Sequence, residues 1–270
     1  MAALFYWAIF SVYCTLMFGL TIIYLLLSFH EIRFLMAYTL NTLLERMHEI
    51  SDYPPYLKPV TKEHQLDGLS FFPCGDGRLK EHFERITELP QKNVMIVGSD
   101  WGAETYFNTK RKSNSENTSR TWAGIRDIVS EYRIANKESI FFTNAIMGLR
   151  TGDMKDSNTK PLPIWKERIN SKFYNQNIEF FKVQLELIRP KYIIGLGVKV
   201  ANFLGDVFEE VEFKKAKKFS DLGIATDVTF KNDSIKAFII FHPSFRTPNR
   251  SRDLKRAQIE DSFFTKNFKL

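Results

Sequence analysis

The amino-acid sequence predicts an α/β domain with a doubly wound, mostly parallel sheet of four strands and helices on both faces. Four short segments are apolar along almost their whole length, as strands covered on both faces are. These segments lie at Val94–Val97, Ser139–Ile146, Tyr192–Gly197 and Ile235–Phe241. Segments with helical spacing of apolar residues alternate with them, and such alternation is typical of parallel α/β sheets.

The composition favours a large core and an anionic partner. Hydrophobic residues make up 44% of the 270-residue chain, which is enough for one large domain with an appendage or for two small domains. The net charge of +7 favours nucleic acid, a nucleotide or a lipid surface as the partner. With two cysteines, Cys14 and Cys74, the chain cannot form a disulfide framework, a cysteine-rich zinc site or a four-cysteine iron–sulfur cluster.

Residues 1–30 are predicted to form a transmembrane helix that contacts membrane lipid. From Leu4 to Phe29 the chain has no Asp, Glu, Lys or Arg, and a helix needs roughly 20 apolar residues to cross a bilayer. Aromatic residues near both ends of this segment are typical of membrane interfaces. Arg33 and Arg46 follow the span, so the positive-inside rule predicts a single-pass membrane protein whose globular domain lies in the cytoplasm.

Residues 31–59 are predicted to form a juxtamembrane helix and a proline-containing linker. Apolar residues from Ile32 to Ile50 recur at helical spacing, which fits either an amphipathic helix or an extension of the membrane helix. Tyr53-Pro54-Pro55 then interrupts the helix. The α/β domain is therefore predicted to span residues 60–270.

Helices are predicted wherever apolar residues recur every three to four positions. They lie at Arg78–Leu89, Trp122–Tyr132, Asn175–Ile188, Val198–Leu204 and Asp253–Phe263. The polar stretch Asn108–Arg120 shows no apolar periodicity, so we expect it to form a surface loop.

Polar side chains end three of the predicted strands, at Asp100, Asn144 and His242. Because the carboxyl ends of parallel strands meet at one edge of the sheet, these residues are expected to share a crevice. Trp122 begins the helix after the first strand. A carboxylate, an amide and an imidazole beside an indole ring suit a planar heterocycle. Taken alone, Asp100 would also fit a helix cap or a turn.

Other common kinds of site lack their motifs in this sequence. No GxGxxG follows a strand and no GxxxxGK[ST] occurs, so the phosphate-binding loops of dinucleotide-binding and P-loop proteins are not present. There is no GxSxG and no HExxH. The five histidines show no metal-ligand spacing. We therefore predict no metal site and no organic cofactor.

Taken in order, the motifs resemble those of the uracil-DNA glycosylase superfamily. Gly98-Ser99-Asp100-Trp101-Gly102 is similar to its water-activating motif, Thr143-Asn144 to its base-reading strand, and His242-Pro243-Ser244 to its second catalytic motif. The stretch Gln184–Gly197 is similar to the family-4-like bacterial branch, whose four cluster cysteines this chain lacks. The resemblance covers the chain from Lys92 to the C-terminus and implies the fold predicted above.

The resemblance implies hydrolysis of the N-glycosidic bond of uracil or another modified base. The base would leave the duplex stack, which costs roughly a few kcal/mol, and enter a pocket walled by Gly98 and Ser99. Trp122 would hold the face of the ring, and Asn144 would pair with its polar edge. A neutral His242 would donate to the base oxygen and stabilise the leaving anion, as an oxyanion hole does.

By the same resemblance, Asp100 would orient or deprotonate the attacking water and offset the positive charge on the sugar. Ser244 and nearby backbone amides would hold a flanking phosphate. Phe245 or Arg246 would fill the space that the base leaves in the stack. Trp101 stands where the family has Pro or Gly, so we expect it to crowd the mouth of the pocket.

Three functions remain open at the level of sequence. The first is a membrane-anchored DNA glycosylase that removes uracil or another modified base. The second is a non-catalytic module of the same fold that binds DNA or a nucleotide containing a modified base. The third is a hydrolase acting on free nucleosides or modified phage bases. No protein partner is indicated by the sequence.

Overall fold

The computed structural model describes residue 43 and residues 45–59, 94–105, 120–134, 140–152, 162–222 and 225–268. The predicted transmembrane helix at residues 1–30 and the predicted helix at Arg78–Leu89 lie outside the described residues. Within the described part of the chain, no helix is both long and apolar enough to cross a membrane.

The described residues form seven strands in two sheets. The strands are β1 (Leu57–Lys58), β2 (Val94–Asp100), β3 (Ile140–Ile146), β4 (Leu149–Arg150), β5 (Tyr192–Leu196), β6 (Thr226–Phe230) and β7 (Asp233–Ile240). The main sheet has the order β3-β2-β5-β7-β6, and β6 alone runs antiparallel to its neighbour in that sheet. β1 and β4 form a separate antiparallel pair.

Helices connect the strands and follow the last of them. They are α1 (Arg120–Glu131), α2 (Ile164–Glu167), α3 (Lys172–Ile188), α4 (Val198–Phe208), α5 (Val211–Lys215), α6 (Arg246–Arg252) and α7 (Leu254–Asn267). Short 3₁₀ helices lie at Arg168–Asn170, Phe219–Asp221 and Pro243–Phe245. The sequence accounts for the ends of the longest helix, α3. The Ser171 side chain accepts a hydrogen bond from the Tyr174 amide at its start, and Arg189 adopts the left-handed conformation before Pro190 at its end.

The prediction of an α/β fold with a mostly parallel sheet is confirmed, but the predicted count of four strands is wrong. The four predicted strands are the parallel ones, and β6 is the fifth. Its sequence, Thr-Asp-Val-Thr-Phe, buries only Val228. An antiparallel strand at the edge of a sheet needs no continuous apolar run, so the pattern that revealed the parallel strands could not reveal β6.

Helices cover both faces of the main sheet. On one face, α3 and α4 pack against strand residues that include Val97, Ile193 and Ile239. On the other face, α1 and α7 pack against residues that include Ile96 and Phe238. Helices therefore exclude water from both faces of the sheet, and the ends of the strands remain accessible for binding polar ligands.

Residues 45–59 pack onto the domain rather than forming a loose linker. Met47, Ile50 and Leu57 are buried in the same cluster as α3 and α4. The Tyr53 hydroxyl donates to the carbonyl oxygen of Met147 at 3.0 Å. Apolar residues of the predicted linker therefore supply part of the core of this packed unit.

The order of the strands creates a topological switch point between β2 and β5. From β2 the chain crosses first to β3 on one side and then, through α3, to β5 on the other side. In open α/β sheets, the carboxyl ends of the two strands at such a point leave a crevice in which ligands bind. The strand order therefore predicts a ligand site at the carboxyl ends of β2 and β5.

Candidate functional site

The crevice lies at the carboxyl edge of the main sheet. In the register of β2 and β3, Gly98 lies opposite Asn144, and Asp100 is two residues further towards the edge. Gly197 directly follows β5, and its φ of 97° belongs to the left-handed region that favours glycine. A Cβ atom at Gly197 would lie 3.9 Å from the His242 Cβ atom. The end of β5 therefore stands directly beside the imidazole.

Asp100 has both carboxylate oxygens fully engaged. Arg150 donates through Nε to Oδ1 at 2.9 Å and through Nη2 to Oδ2 at 2.8 Å. The Gly102 amide donates to Oδ1 at 3.0 Å, and the Ser99 hydroxyl donates to Oδ2 at 2.9 Å. A carboxylate offers about four lone-pair positions, so these four hydrogen bonds occupy its accepting capacity.

The environment of Asp100 keeps it ionised. Burial would raise the pKa of its carboxyl, but the hydrogen bonds and charge of Arg150, with the donors at Ser99 and Gly102, hold that pKa below its usual range. Only 3% of the Asp100 side chain and 15% of the Arg150 side chain are exposed. A low pKa makes Asp100 a weak proton acceptor and a stable negative charge.

Arg150 is a member of the site that sequence reasoning missed. It belongs to β4, which pairs with β1, so Leu57 lies opposite Arg150. Its amide donates to the Gly102 carbonyl oxygen at 2.8 Å. The segment before the main sheet therefore helps to hold the guanidinium against Asp100. A two-residue strand leaves no periodic pattern, so its proximity to Asp100 could not be read from the sequence.

His242 presents a defined tautomer to the crevice. Its Nδ1 accepts a hydrogen bond from the Ser244 amide at 3.3 Å, which places the proton of the neutral ring on Nε2. Burial lowers the pKa of the His242 imidazole, and the Asp100 carboxylate opposes part of that shift. Among the described residues, Nε2 has no hydrogen-bonding partner. His242 is therefore a neutral Nε2–H donor at the sheet edge.

Asn144 lies on the far side of β2 from His242. It is 2% exposed, and its amide has no hydrogen-bonding partner within the described part of the chain. Since side chains alternate along a strand, Asn144 shares a sheet face with Phe142, and Asp100 shares that face with Gly98. Gly98, which has no side chain, lies directly opposite Asn144 in the register of the two strands.

Trp122 lies on α1, below Asn144 on the same face. Its ring packs edge-on against Phe142 with centroids 5.2 Å apart, and it is 4% exposed. The predicted stacking residue therefore contributes to the floor of the crevice and presents little of its ring face to solvent. Trp101, expected at the pocket mouth, lies instead in the core on the α3–α4 face, where its Nε1 donates to the Met147 sulfur at 3.4 Å.

The turn that carries His242 is fixed against α1. The hydroxyl groups of Ser244 and Thr121 are 2.6 Å apart. A Cβ atom at Gly124 would lie 2.8 Å from the Pro243 carbonyl oxygen, so only glycine allows this close approach. The predicted phosphate contact, Ser244, thus also joins the His242 turn to the helix that begins near Trp122.

The two residues predicted to enter the base stack differ in exposure. Phe245 is 54% exposed, with its ring centroid 6.3 Å from that of His242. Arg246 is 12% exposed, and its guanidinium lies 3.7 Å from Glu131 and 3.6 Å from Glu260. Phe245 is therefore exposed next to His242, whereas Arg246 is held between α1 and α7.

Glu260 anchors the strand exit just before His242. Its Oε1 accepts a hydrogen bond from the Phe241 amide at 2.7 Å, and its side chain is fully buried. Burial raises the pKa of the Glu260 carboxyl, while the Phe241 amide and three arginines oppose that shift. The arginines are Arg246, Arg250 and Arg256. This network fixes the backbone from which the imidazole projects.

The arrangement offers a hydrogen-bond donor, an amide and a fixed carboxylate around one crevice. In the described part of the chain, no group of three or more His, Cys, Asp or Glu side chains could hold a metal ion. No protein-family model matches this chain, and no curated protein matches it.

Proposed function

We propose that this domain is an N-glycosidase of the uracil-DNA glycosylase type, which binds an extruded base of DNA in the crevice and releases it. The observation that carries the proposal is the Nε2–H of a neutral, half-buried His242 at the same sheet edge as the Asn144 amide and the Asp100 carboxylate. A donor of this kind is what the oxygen of a departing pyrimidine anion requires.

The spacing of the strands supports a ring between Asn144 and His242. Asn144 lies two residues before the end of β3 and His242 two residues after the end of β7, and these strands are three positions apart in the sheet. At roughly 4.8 Å per strand, the two backbones are about 14 Å apart. That separation is wide enough to admit a planar ring between the two residues. Asn144 would then read one edge of the base while His242 meets the other.

In the proposed reaction, the bond between the sugar carbon and the base nitrogen breaks, and its electron pair leaves with the base. The His242 Nε2–H donates to the base oxygen and stabilises this anion. The Asp100 carboxylate offsets the positive charge on the sugar. Water then adds to the sugar carbon and gives a proton to solvent, while the base anion takes up a proton from solvent and leaves as the neutral base. Deprotonation of that water by Asp100 would first require one of the four donors to withdraw.

A second candidate, a module that binds a modified base without cleaving it, is favoured by the saturation of Asp100. Its four hydrogen bonds leave no lone pair for a water molecule, and its low pKa makes it a poor base. In this alternative, the Asp100–Arg150 pair is a structural wall of the crevice. Asn144 and His242 would still recognise the base.

Base release distinguishes the two candidates. The full chain, purified in a neutral detergent, is incubated with single- and double-stranded oligonucleotides that contain uracil or other modified bases, and free base is measured by mass spectrometry. Release that is lost in His242→Ala supports the glycosidase. Tight binding of the modified oligonucleotide without release supports the binding module. Neither binding nor release on any such oligonucleotide, with turnover of free nucleosides, would instead indicate a nucleoside hydrolase.

The proposed localisation is a membrane, with the domain tethered on the cytoplasmic side by residues 1–30. This part of the proposal rests on the uncharged segment Leu4–Phe29 and on the arginines that follow it. Protease protection in sealed membrane vesicles tests it, and protection of the domain on the non-cytoplasmic side would refute the orientation.

A further inference from the structure

A second concave site lies on the α3–α4 face, and it shares no residue with the crevice. It is a cavity of about 550 Å³, within the usual range for ligand sites. The described residues that line it are Trp165, Lys166, Arg168, Asn202, Lys214, Lys215, Ala216 and Lys217. Five of these are cationic and none is acidic. We refer to it as the basic cavity.

The backbone around the basic cavity is firmly held. The Asn202 side chain donates to the carbonyl oxygens of Phe213 and Ala216, each at 2.9 Å. Arg168 donates through Nη2 to the Lys214 carbonyl oxygen at 3.2 Å. Three of the lysines therefore project from a segment whose path is fixed, which lowers the entropy lost when they bind a ligand.

The four lysines of the basic cavity differ from its arginine in their ionic contacts. Among the described residues, none of the four ammonium groups forms an ion pair. Arg168 differs, because its Nε lies 3.4 Å from Asp206. Four unneutralised charges around one concavity form an electrostatic footprint typical of a site for phosphate groups.

Three acidic side chains close in sequence to the lining residues accept hydrogen bonds from other protein groups. Asp206 accepts a hydrogen bond from the Tyr174 hydroxyl at 2.9 Å. Glu210 accepts one from the Glu212 amide at 3.2 Å, and Asp221 accepts one from the Lys217 amide at 2.8 Å. Among the described residues, Asp206 therefore pairs with Arg168, whereas none of the three acids forms an ion pair with a lysine of the basic cavity.

We infer that the basic cavity binds the phosphodiester backbone of the nucleic acid whose base enters the crevice, and this inference rests on the proposed function. The two sites are linked by α4, which begins after Gly197 beside His242 and carries Asn202. Five residues of helix correspond to about 7.5 Å. A strand anchored at the crevice can therefore reach the basic cavity within a few nucleotides. A narrow, flexible strand also suits a concave site better than a flat lipid surface does.

The test is the salt dependence of binding to an oligonucleotide that contains only unmodified bases. Affinity for single strands falls with salt by a logarithmic slope of about 0.7 for each phosphate that a cation neutralises. We expect the double variant Lys215→Gln/Lys217→Gln to lower that slope by about 1.4, which is about 25-fold in affinity at 0.1 M salt. The full chain in neutral detergent is used throughout, and circular dichroism checks its fold.

The matched control is Lys255→Gln/Lys266→Gln on α7, which removes the same charge from exposed positions on the other face of the sheet. It should leave the slope unchanged. Equal effects of the two double variants, or none from the cavity variant, would overturn the inference. If the cavity variant binds the oligonucleotide normally but no longer binds anionic lipid vesicles, the basic cavity is a membrane contact instead. In another outcome, the salt slope falls as expected in the cavity variant alone while the wild-type chain releases no base. That outcome would refute the glycosidase but would still identify the basic cavity as a nucleic-acid site.

Discussion

The two sides of the crevice differ in how much of their hydrogen-bonding capacity the protein itself uses. On the acid side, Arg150, Ser99 and Gly102 fill every accepting position of Asp100. On the amide–imidazole side, the Asn144 amide and the His242 Nε2–H have no partner among the described residues. Both sides are largely buried, so the contrast is one of contacts and not of exposure.

This contrast separates recognition from water activation. The amide–imidazole side keeps hydrogen-bonding groups that no described residue uses, so it is suited to base recognition. All accepting positions of Asp100 on the acid side are already occupied. Asp100 therefore contributes a fixed charge and structural stability, and it can accept a proton from water only if one of its donors withdraws.

Asp100→Asn is expected to reduce the free energy of unfolding by about 3 kcal/mol, because it leaves the guanidinium of Arg150 in a mostly buried site without its anion. Urea denaturation of the full chain measures the change. The control is Asp233→Asn, which breaks a bidentate pair of the same geometry with exposed Arg189. The control should show a much smaller loss, and equal losses would contradict a structural role for the acid side.

His242→Ala is expected to lower base release by about 100-fold, which is typical of removing one donor from an oxyanion site. Binding of the modified oligonucleotide should fall much less, since Asn144 still reads the base. Initial rates and equilibrium binding give the two values. Exposed His48→Ala should change neither. Equal losses of binding and rate in His242→Ala would show that the imidazole serves recognition alone.

Asn144→Ala is expected to weaken binding of a uracil-containing oligonucleotide by about 1–3 kcal/mol, because the polar edge of the base is then buried without a partner. Discrimination between uracil and cytosine should fall with it. Fluorescence anisotropy on the two oligonucleotides measures both. Exposed Asn175→Ala is the control. Retained discrimination in Asn144→Ala would place base reading elsewhere.

The smallest expected effect concerns pH. The pKa of His242 is lowered in the folded state, so the unfolded chain binds more protons as the pH falls below about 6.5. The stability contribution of the neutral ring is thus present above that pH and is lost progressively below it. Unfolding from pH 8 to pH 5 should therefore be less pH-dependent in His242→Gln than in the wild type. An identical pH profile in the two proteins would contradict the lowered pKa.

The sequence predicted the parts of this fold that have long apolar signals. The four parallel strands are continuous apolar runs, and the polar residues that end them, Asp100, Asn144 and His242, do lie along one sheet edge. Alternation of strands and helices then set the topology. Each of these inferences depends on residues close together in sequence, or on the rule that parallel strands share an edge.

The sequence could not predict contacts made by short or edge elements. Arg150 reaches Asp100 from a two-residue strand, and its partner strand β1 lies more than ninety positions earlier in the chain. Trp101 follows the motif acid in sequence, yet the strand alternation sends it to the opposite face. Trp122 was placed correctly on the first helix, but its burial depends on packing against Phe142.

The most direct test of the account is nitrogen NMR of the His242 ring in the full chain, assigned by comparison with His242→Gln. The account predicts a neutral ring at pH 7 with its proton on Nε2, and a shift of the Nε2 signal when a uracil-containing oligonucleotide is added. The matching thymine oligonucleotide should leave that signal unchanged. A ring protonated on Nδ1, a charged imidazolium, or an Nε2 signal insensitive to the uracil-containing oligonucleotide would contradict base recognition by this edge of the sheet.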